Sequence, residues 1–151
     1  MTTPLRLDVR RSGREGPDVE LLLDVPSALE YVGPAVELIA GSCPAGPLSP
    51  RRVLFNLRTV LAEALSNAIA YGNRHDPDKF VRVRVEVSRE AVRIHVIDDG
   101  EGFDPGAVPD PTLPENLERE AGRGLFVLRH LVDHVAFNAK GNAICLTLRA
   151  G

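Results

Sequence analysis

Hydrophobic and polar residues alternate at the start of the chain, which is the pattern of β-strands with one buried face. In the segments 5–10 and 19–23, every second residue is Leu or Val, and most of the residues between them are charged. The run between the two segments contains Gly, Ser and Pro, which favour turns. The pattern therefore predicts an N-terminal β-hairpin.

Two helical patterns follow the hairpin. Ser27 and Glu30 have the spacing of a capping box, which predicts a helix that runs to about Cys43. The segment 44–50 is expected to be a loop. A second helix is predicted from Arg51 to about Gly72, because Leu or Ala recurs every three or four residues at positions 54, 57, 61, 65 and 68.

The remainder of the chain returns to strands. Alternating hydrophobic residues predict one hairpin with strands at 81–87 and 91–98, and a closing hairpin within 135–148. A third helix is predicted after position 124 and ends near Asp133. Between 100 and 121 the glycines and prolines are too frequent for a long helix or a central strand, so we expect a functional loop there.

These elements together predict an α+β fold. About six strands in antiparallel order and three helices fit a two-layer sandwich, with the helices on one face of a mixed, mostly antiparallel sheet. No internal repeat and no linker divides the chain, so we expect one domain over 1–151.

Composition and charge exclude several functional classes. With 151 residues, 44% hydrophobic and 26% charged, the chain fits one globular domain. A net charge of -3 provides no basic surface, so we expect no direct binding to nucleic acid. No apolar run is long enough for a membrane span or a signal peptide, so we expect a cytoplasmic protein without membrane contact. Two cysteines are too few for a disulfide scaffold.

The second predicted helix carries a polar stripe opposite its apolar face. At about 100° per residue, Asn56, Glu63 and Asn67 fall within roughly 40° of one another. Glu63 and Asn67 are therefore neighbours at i and i+4. The stripe is either a solvated helix face or a place for a ligand. Small residues beside the pair, where a solvated face usually carries Lys or Glu, favour the ligand.

A second motif follows the strand predicted at 91–98. Asp98 precedes Gly100 and Gly102, and glycines at alternate positions allow a ligand to approach the backbone closely. A carboxylate just before them is able to accept a hydrogen bond from an amino group. The alternative is a tight turn after a strand.

A third motif, Gly122-Arg123-Gly124, directly precedes the last predicted helix. The N-terminus of a helix offers unpaired N–H groups, and glycine lets phosphate oxygens reach them. A simple loop is the alternative for so short a motif. The sequence contains no Walker A lysine motif and no complete dinucleotide fingerprint, which excludes a P-loop site.

In this order and spacing the three motifs resemble a known set. The segment 63–68 resembles the N box, Asp98-x-Gly100-x-Gly102 the G1 box and Gly122-x-Gly124 the G2 box of the ATPase superfamily shared by gyrase, MutL and histidine kinases. Within it, the chain is most similar to the small anti-sigma-factor serine kinases. The resemblance covers about 19–148, so the strand and loop at 1–17 are an N-terminal addition.

The resemblance implies a Bergerat-type sandwich that holds ATP and Mg²⁺ beneath a lid at 104–121. It implies that Asn67 is a ligand of Mg²⁺, that Glu63 is the general base, and that Asp98 binds the adenine amino group. It also implies that Gly100 and Gly102 shape the adenine pocket, and that Gly122 and Gly124 let the phosphates reach the start of the helix.

Two positions depart from the family pattern. In the lid, the pair Glu118-Arg119 lies further from the glycines than in the anti-sigma kinases, so Arg119 and Arg123 both remain candidates for phosphate contact. Gly141-Asn142 stands where many relatives have Gly-Thr. A supporting contact beneath the adenine is therefore expected to be missing or rearranged.

The leading hypothesis is an ATP-dependent serine/threonine protein kinase that phosphorylates an anti-sigma-factor antagonist and binds a sigma factor. Retention of Glu63 and Asn67 favours an active site. Two alternatives stay open: a non-catalytic module in which ATP orders the lid and tunes partner affinity, and a detached histidine-kinase catalytic domain. A homodimer is a further open alternative.

Overall fold

A computed structural model describes the residues 5–11, 19–43, 53–100 and 128–149. Six strands form one sheet. Their bounds are β1 Arg6–Arg11, β2 Val19–Pro26, β3 Phe80–Val87, β4 Ala91–Ile97, β5 His134–Phe137 and β6 Ala143–Arg149. The predicted hairpins at the start, middle and end of the chain are thereby confirmed.

The sheet has the strand order β1-β2-β3-β4-β6-β5, and each of these neighbouring pairs is antiparallel. β3 and β4 are central. The register places Val85 of β3 opposite Ile94 of β4, and Ile94 opposite Leu146 of β6. Because side chains alternate between the faces of a strand, these three residues lie on the same face, and all three are fully buried.

The helices are α1 at Val32–Ser42 and α2 at Arg58–Asn67. A 3₁₀ turn at Leu29–Tyr31 leads into α1. α2 is continued on both sides by π-helical turns at Val53–Leu57 and Ala68–Gly72, and residues 128–131 are helical too. The long second helix predicted to end at Gly72 is thus confirmed, with a change of winding at each end.

The predicted capping box is wrong. The 3₁₀ turn begins after Ala28 without a side-chain cap, and Ser27 is buried instead. The Ser27 hydroxyl donates a hydrogen bond to the carbonyl of Lys79 at 2.6 Å. A tertiary partner has therefore replaced the local one, since a buried hydroxyl needs a partner but either kind satisfies it.

The core lies between the helices and one face of the sheet. α1 contributes Ile39, and the long helix contributes Leu57, Leu61 and Leu65, all fully buried. From the sheet side, β3 presents Val residues at 81, 83, 85 and 87. This arrangement confirms the predicted α+β sandwich with helices on one face.

The opposite face of β3 is polar. Arg82 is exposed there, and its Nε lies 3.3 Å from Oδ1 of Asp24 on β2. Arg84 and Glu86 are half-buried on the same face. The alternation that predicted the strand therefore also predicted which face packs. In the described part of the chain, no helix is long and apolar enough to cross a membrane.

Candidate functional site

The long helix separates its apolar residues from a polar stripe, as the sequence predicted. Leu57, Leu61, Leu65 and Ala68 are buried in the core, whereas Asn56, Glu63 and Asn67 are half-buried. The helical period of 3.6 residues accounts for the division, because the polar positions project away from the core. The amide Nδ2 of Asn56 lies 3.4 Å from the carbonyl oxygen of Leu131.

Glu63 and Asn67 lie one turn apart on α2. Within the described ranges, neither side chain forms a hydrogen bond or an ion pair with another residue, although both are shielded in part from solvent. Polar groups that are fully buried are almost always hydrogen-bonded, whereas half-buried groups also reach water. Two such groups that face the same side of a helix are therefore available to a ligand.

The helical segment ends in a tight turn at Gly72 and Asn73. The Asn73 N–H donates to the carbonyl of Ala68, five residues earlier, which closes the π-helical turn. Arg74 and His75 then adopt positive φ angles of 53° and 58°. The chain reverses there and leads into β3.

The end of the helix and the loop after β4 meet backbone to backbone. A Cβ atom placed on Gly100 would lie 2.7 Å from the carbonyl carbon of Gly72, and closer still to its oxygen. A Cβ atom placed on Gly72 would collide with the carboxylate of Asp98. The helix that carries Glu63 and Asn67 therefore ends against the Asp98–Gly100 loop, and glycine is required at Gly72 and Gly100 because there is no room for a side chain.

Asp98 lies at the centre of this contact. Its Oδ1 accepts a hydrogen bond from the N–H of Gly100 at 2.8 Å, which fixes the direction of the carboxylate. Burial raises the pKa of Asp98, and the Gly100 hydrogen bond opposes that shift. The site therefore holds a carboxylate that is half desolvated and has free acceptor positions, which suits recognition of a donor such as an amino group.

Asn73 connects the loop after β4 to the end of β2 and the start of β3, a role that sequence reasoning missed. The side chain is 1% exposed. Its Oδ1 accepts the N–H of Asp99 at 2.7 Å, and its Nδ2 donates to Ser27 Oγ at 2.9 Å and to the carbonyl of Phe80 at 3.1 Å. The sequence pattern carried no signal for this role, because the partners of Asn73 lie far away along the chain.

Asn142 holds Asp98 from the other side. The Asp98 N–H donates to the Asn142 carbonyl at 2.9 Å, and the Asn142 Nδ2 donates to the Asp98 carbonyl at 3.1 Å. Gly141, with a φ of 78°, permits the tight turn before β6, and Asn138 Oδ1 accepts three backbone N–H groups of that turn. Asn142, one of the positions where the sequence departs from the family pattern, thus contacts the backbone of Asp98.

Several predicted site residues lie outside the described residues. The N-box helix and the first part of the G1 box are described, which covers Glu63, Asn67, Asp98 and Gly100. The lid predicted at 104–121 is not, and its role stays a prediction. The predicted residues outside the described ranges are Gly102, Arg119, Gly122, Arg123 and Gly124.

The geometry defines a class of protein: an α+β sandwich in which a helix with a polar stripe ends against a glycine-containing loop that follows a central strand. A family model for the histidine kinase-like ATPase domain matches residues 25–148. The match covers most of the chain, and the chain therefore belongs to this family. β1 lies outside the matched range.

Relatives of known type agree with this assignment. The chain is 27% identical over 122 residues to the serine-protein kinase RsbW of Oceanobacillus iheyensis, with 77% of each chain covered. It is 32% identical over 92 residues to the anti-sigma F factor of Geobacillus thermodenitrificans, covering 59% of this chain and 62% of that one. It is 25% identical over 99 residues to the serine/threonine-protein kinase BtrW of Bordetella bronchiseptica, covering 64% and 70%.

Proposed function

We propose that the protein binds ATP beside the long helix and transfers its γ-phosphate to a serine or threonine of an anti-sigma-factor antagonist. The proposal includes binding of a sigma factor. The observation that carries it is the contact of Gly72 with Asp98 and Gly100, since it joins the polar helix to a carboxylate with open acceptor positions. The names of the similar kinases and anti-sigma factors support the same function.

Asp98 and Gly100 fit the adenine end of the nucleotide. The half-buried carboxylate accepts a hydrogen bond from the adenine amino group, and partial exclusion of water strengthens that bond. Gly100 lets the base lie close to the backbone, and we assign the same role to Gly102. Base recognition in this proposal therefore comes from a fixed acceptor on the protein.

Glu63 and Asn67 fit the phosphate end. At 1.5 Å per residue, these residues lie roughly 7 to 14 Å along the helix from Gly72, which suits an extended nucleoside triphosphate. Asn67 supplies an amide oxygen, a hard ligand suited to Mg²⁺. When bound, Mg²⁺ neutralises charge on the phosphates.

Glu63 acts as the general base on the partner's hydroxyl group. The hydroxyl oxygen forms a bond to the γ-phosphorus, and the bond from that phosphorus to the β,γ-bridging oxygen breaks, so ADP leaves. The hydroxyl proton passes to the Glu63 carboxylate. The protein contributes mainly positioning and charge compensation, which is how phosphoryl transfer is usually catalysed.

The rest of the nucleotide site is assigned to residues after 100. Gly122 and Gly124 admit phosphate oxygens to the helix N-terminus, and Arg119 or Arg123 compensates their charge. The loop 104–121 closes over the nucleotide. A cytoplasmic location accompanies this proposal, because ATP and a transcription factor are found there.

The proposal is tested by incubating the protein with γ-labelled ATP, Mg²⁺ and candidate antagonist proteins of its own organism. We expect label on the antagonist that resists acid, since phosphoserine and phosphothreonine are stable in acid and phosphohistidine is not. ATP binding without any labelled antagonist would reject the kinase and leave the ATP-gated module. Acid-labile label would instead favour a histidine kinase.

A variant separates binding from transfer. Glu63→Gln keeps the shape of the side chain and removes the base, so we expect transfer to fall by about 10²-fold or more while ATP affinity changes little. Glu90→Gln, at an exposed position in the turn between β3 and β4, is the matched control. Equal transfer rates in Glu63→Gln and the control would contradict the role of Glu63.

A further inference from the structure

The peptide group between Asp98 and Asp99 is held at both ends by side-chain amides. Its carbonyl oxygen accepts from Asn142 Nδ2 at 3.1 Å, and its N–H donates to Asn73 Oδ1 at 2.7 Å. The two amides come from separate parts of the fold, the turn before β6 and the end of the helical segment. A single peptide plane is therefore fixed between two elements.

The fixed backbone at Asp98 restricts the direction of the Asp98 side chain. The preceding peptide is held as well, because the Asp98 N–H donates to the Asn142 carbonyl at 2.9 Å, and the two planes together set the direction of the Asp98 Cα–Cβ bond. The hydrogen bond from Gly100 N to Oδ1 restricts rotation of the carboxylate. The other carboxylate oxygen packs against Gly72. These contacts hold the carboxylate in one orientation, with its free acceptor positions fixed in space.

We propose that Asn73 and Asn142 are positioning residues for base recognition, which hold the Asp98–Asp99 peptide so that the carboxylate selects a purine with an amino group. The inference rests on the proposed role of Asp98. Neither amide touches the nucleotide. They act by preorganisation, so their loss affects discrimination between bases more than it affects binding of the phosphates.

A purely structural role makes a different prediction. If the two amides only connect the end of β4 to neighbouring elements, loss of their hydrogen bonds lowers the affinity for every nucleotide to the same extent. If they aim Asp98, the loss falls on ATP and spares inosine triphosphate, whose purine has an oxygen in place of the amino group. The ratio of the two affinities therefore distinguishes the two roles.

Asn142→Asp is the most suitable test variant. It keeps the shape of the side chain and the acceptor used by Asn138, but it replaces the donor to the Asp98 carbonyl by an oxygen. Asn142 is half-buried, whereas Asn73 is 1% exposed and its replacement threatens folding. Ser88→Ala is the control, because it too removes a half-buried side-chain donor to a carbonyl at 3.1 Å, but in the β3–β4 turn.

Calorimetric titration with ATP and with inosine triphosphate measures the effect. We expect Asn142→Asp to lower the preference for ATP about five- to tenfold, which corresponds to the loss of about one well-placed hydrogen bond. Ser88→Ala should keep the wild-type ratio. An unchanged ratio in Asn142→Asp, with the melting temperature preserved, would overturn the positioning role.

A double variant tests whether the amide acts through Asp98. In an Asp98→Ala background, Asn142→Asp should leave the ratio where Asp98→Ala alone puts it, because the carboxylate that it aims is gone. A further loss of preference in the double variant would contradict the inference. A wild-type protein that binds ATP no better than inosine triphosphate would instead overturn the role of Asp98 itself, before the amides are considered.

Discussion

The contact between Gly72 and Gly100 leads to a quantitative prediction for Gly100→Ala. The new Cβ would lie 2.7 Å from the carbonyl carbon of Gly72 and 2.8 Å from Oδ1 of Asp98, well inside normal contact distance. Because one of the obstructing groups is backbone, it has no alternative rotamer, and either the helix end or the loop after β4 must shift.

The magnitude follows from two opposing effects. Overpacking of this kind costs about 3 kcal/mol, the upper part of the usual range, because backbone has to move. Replacing glycine by alanine also lowers the entropy of the unfolded chain, which returns about 0.5–1 kcal/mol. The net loss is about 2 kcal/mol, which for a chain of this size lowers the melting temperature by roughly 4–8 °C.

Thermal unfolding followed by circular dichroism measures this loss, with Gly41→Ala as the control. Gly41 lies in α1 and a Cβ there has no neighbour within 4 Å, so its replacement should raise stability by a few tenths of a kcal/mol to about 1 kcal/mol. If Gly100→Ala melts within about 2 °C of the wild type, the close approach of the helix end to the loop after β4 is refuted.

Three further outcomes are expected. Asp98→Asn should raise the melting temperature at neutral pH, because burial raises the pKa of Asp98 and so disfavours its charged form in the folded protein. This gain should disappear below pH 3.8, the ordinary pKa of the group, where the carboxyl is protonated in the folded and the unfolded protein alike, and melting curves over a pH series measure it. Leu61→Ala should cost about 2–5 kcal/mol in urea unfolding, since Leu61 is fully buried. Arg82→Ala should cost less than about 1 kcal/mol, because its ion pair with Asp24 is exposed.

Local periodicity was sufficient to predict the sheet and the long helix. In β3, every second residue from Val81 onward is buried, so the alternation indicated both the strand and its inner face. In the long helix, the recurrence of Leu61 and Leu65 placed Glu63 on the opposite side. These features follow from neighbours in sequence, which is why composition and spacing were enough.

The tertiary hydrogen bonds could not be predicted in the same way. Ser27 has the spacing of a helix cap, yet its hydroxyl bonds to Lys79, and Asn73 bonds to Ser27 and Asp99. Several partners satisfy a buried hydroxyl or amide equally well, and the choice depends on which backbone groups the fold brings near. The spacing of motifs indicated Asp98 as a site residue but carried no signal for the amides that hold its peptide.

The change of winding after Asn67 makes the number of residues in the segment 68–72 matter as well as their identity. The i to i+5 pattern from Ala68 to Asn73 sets the rotation of Gly72 relative to Asn67. A substitution in the turn leaves that rotation intact, whereas an inserted residue changes it. The protein should therefore accept exchanges at the half-buried Ala70, but neither a side chain at Gly72 nor an added residue in this segment.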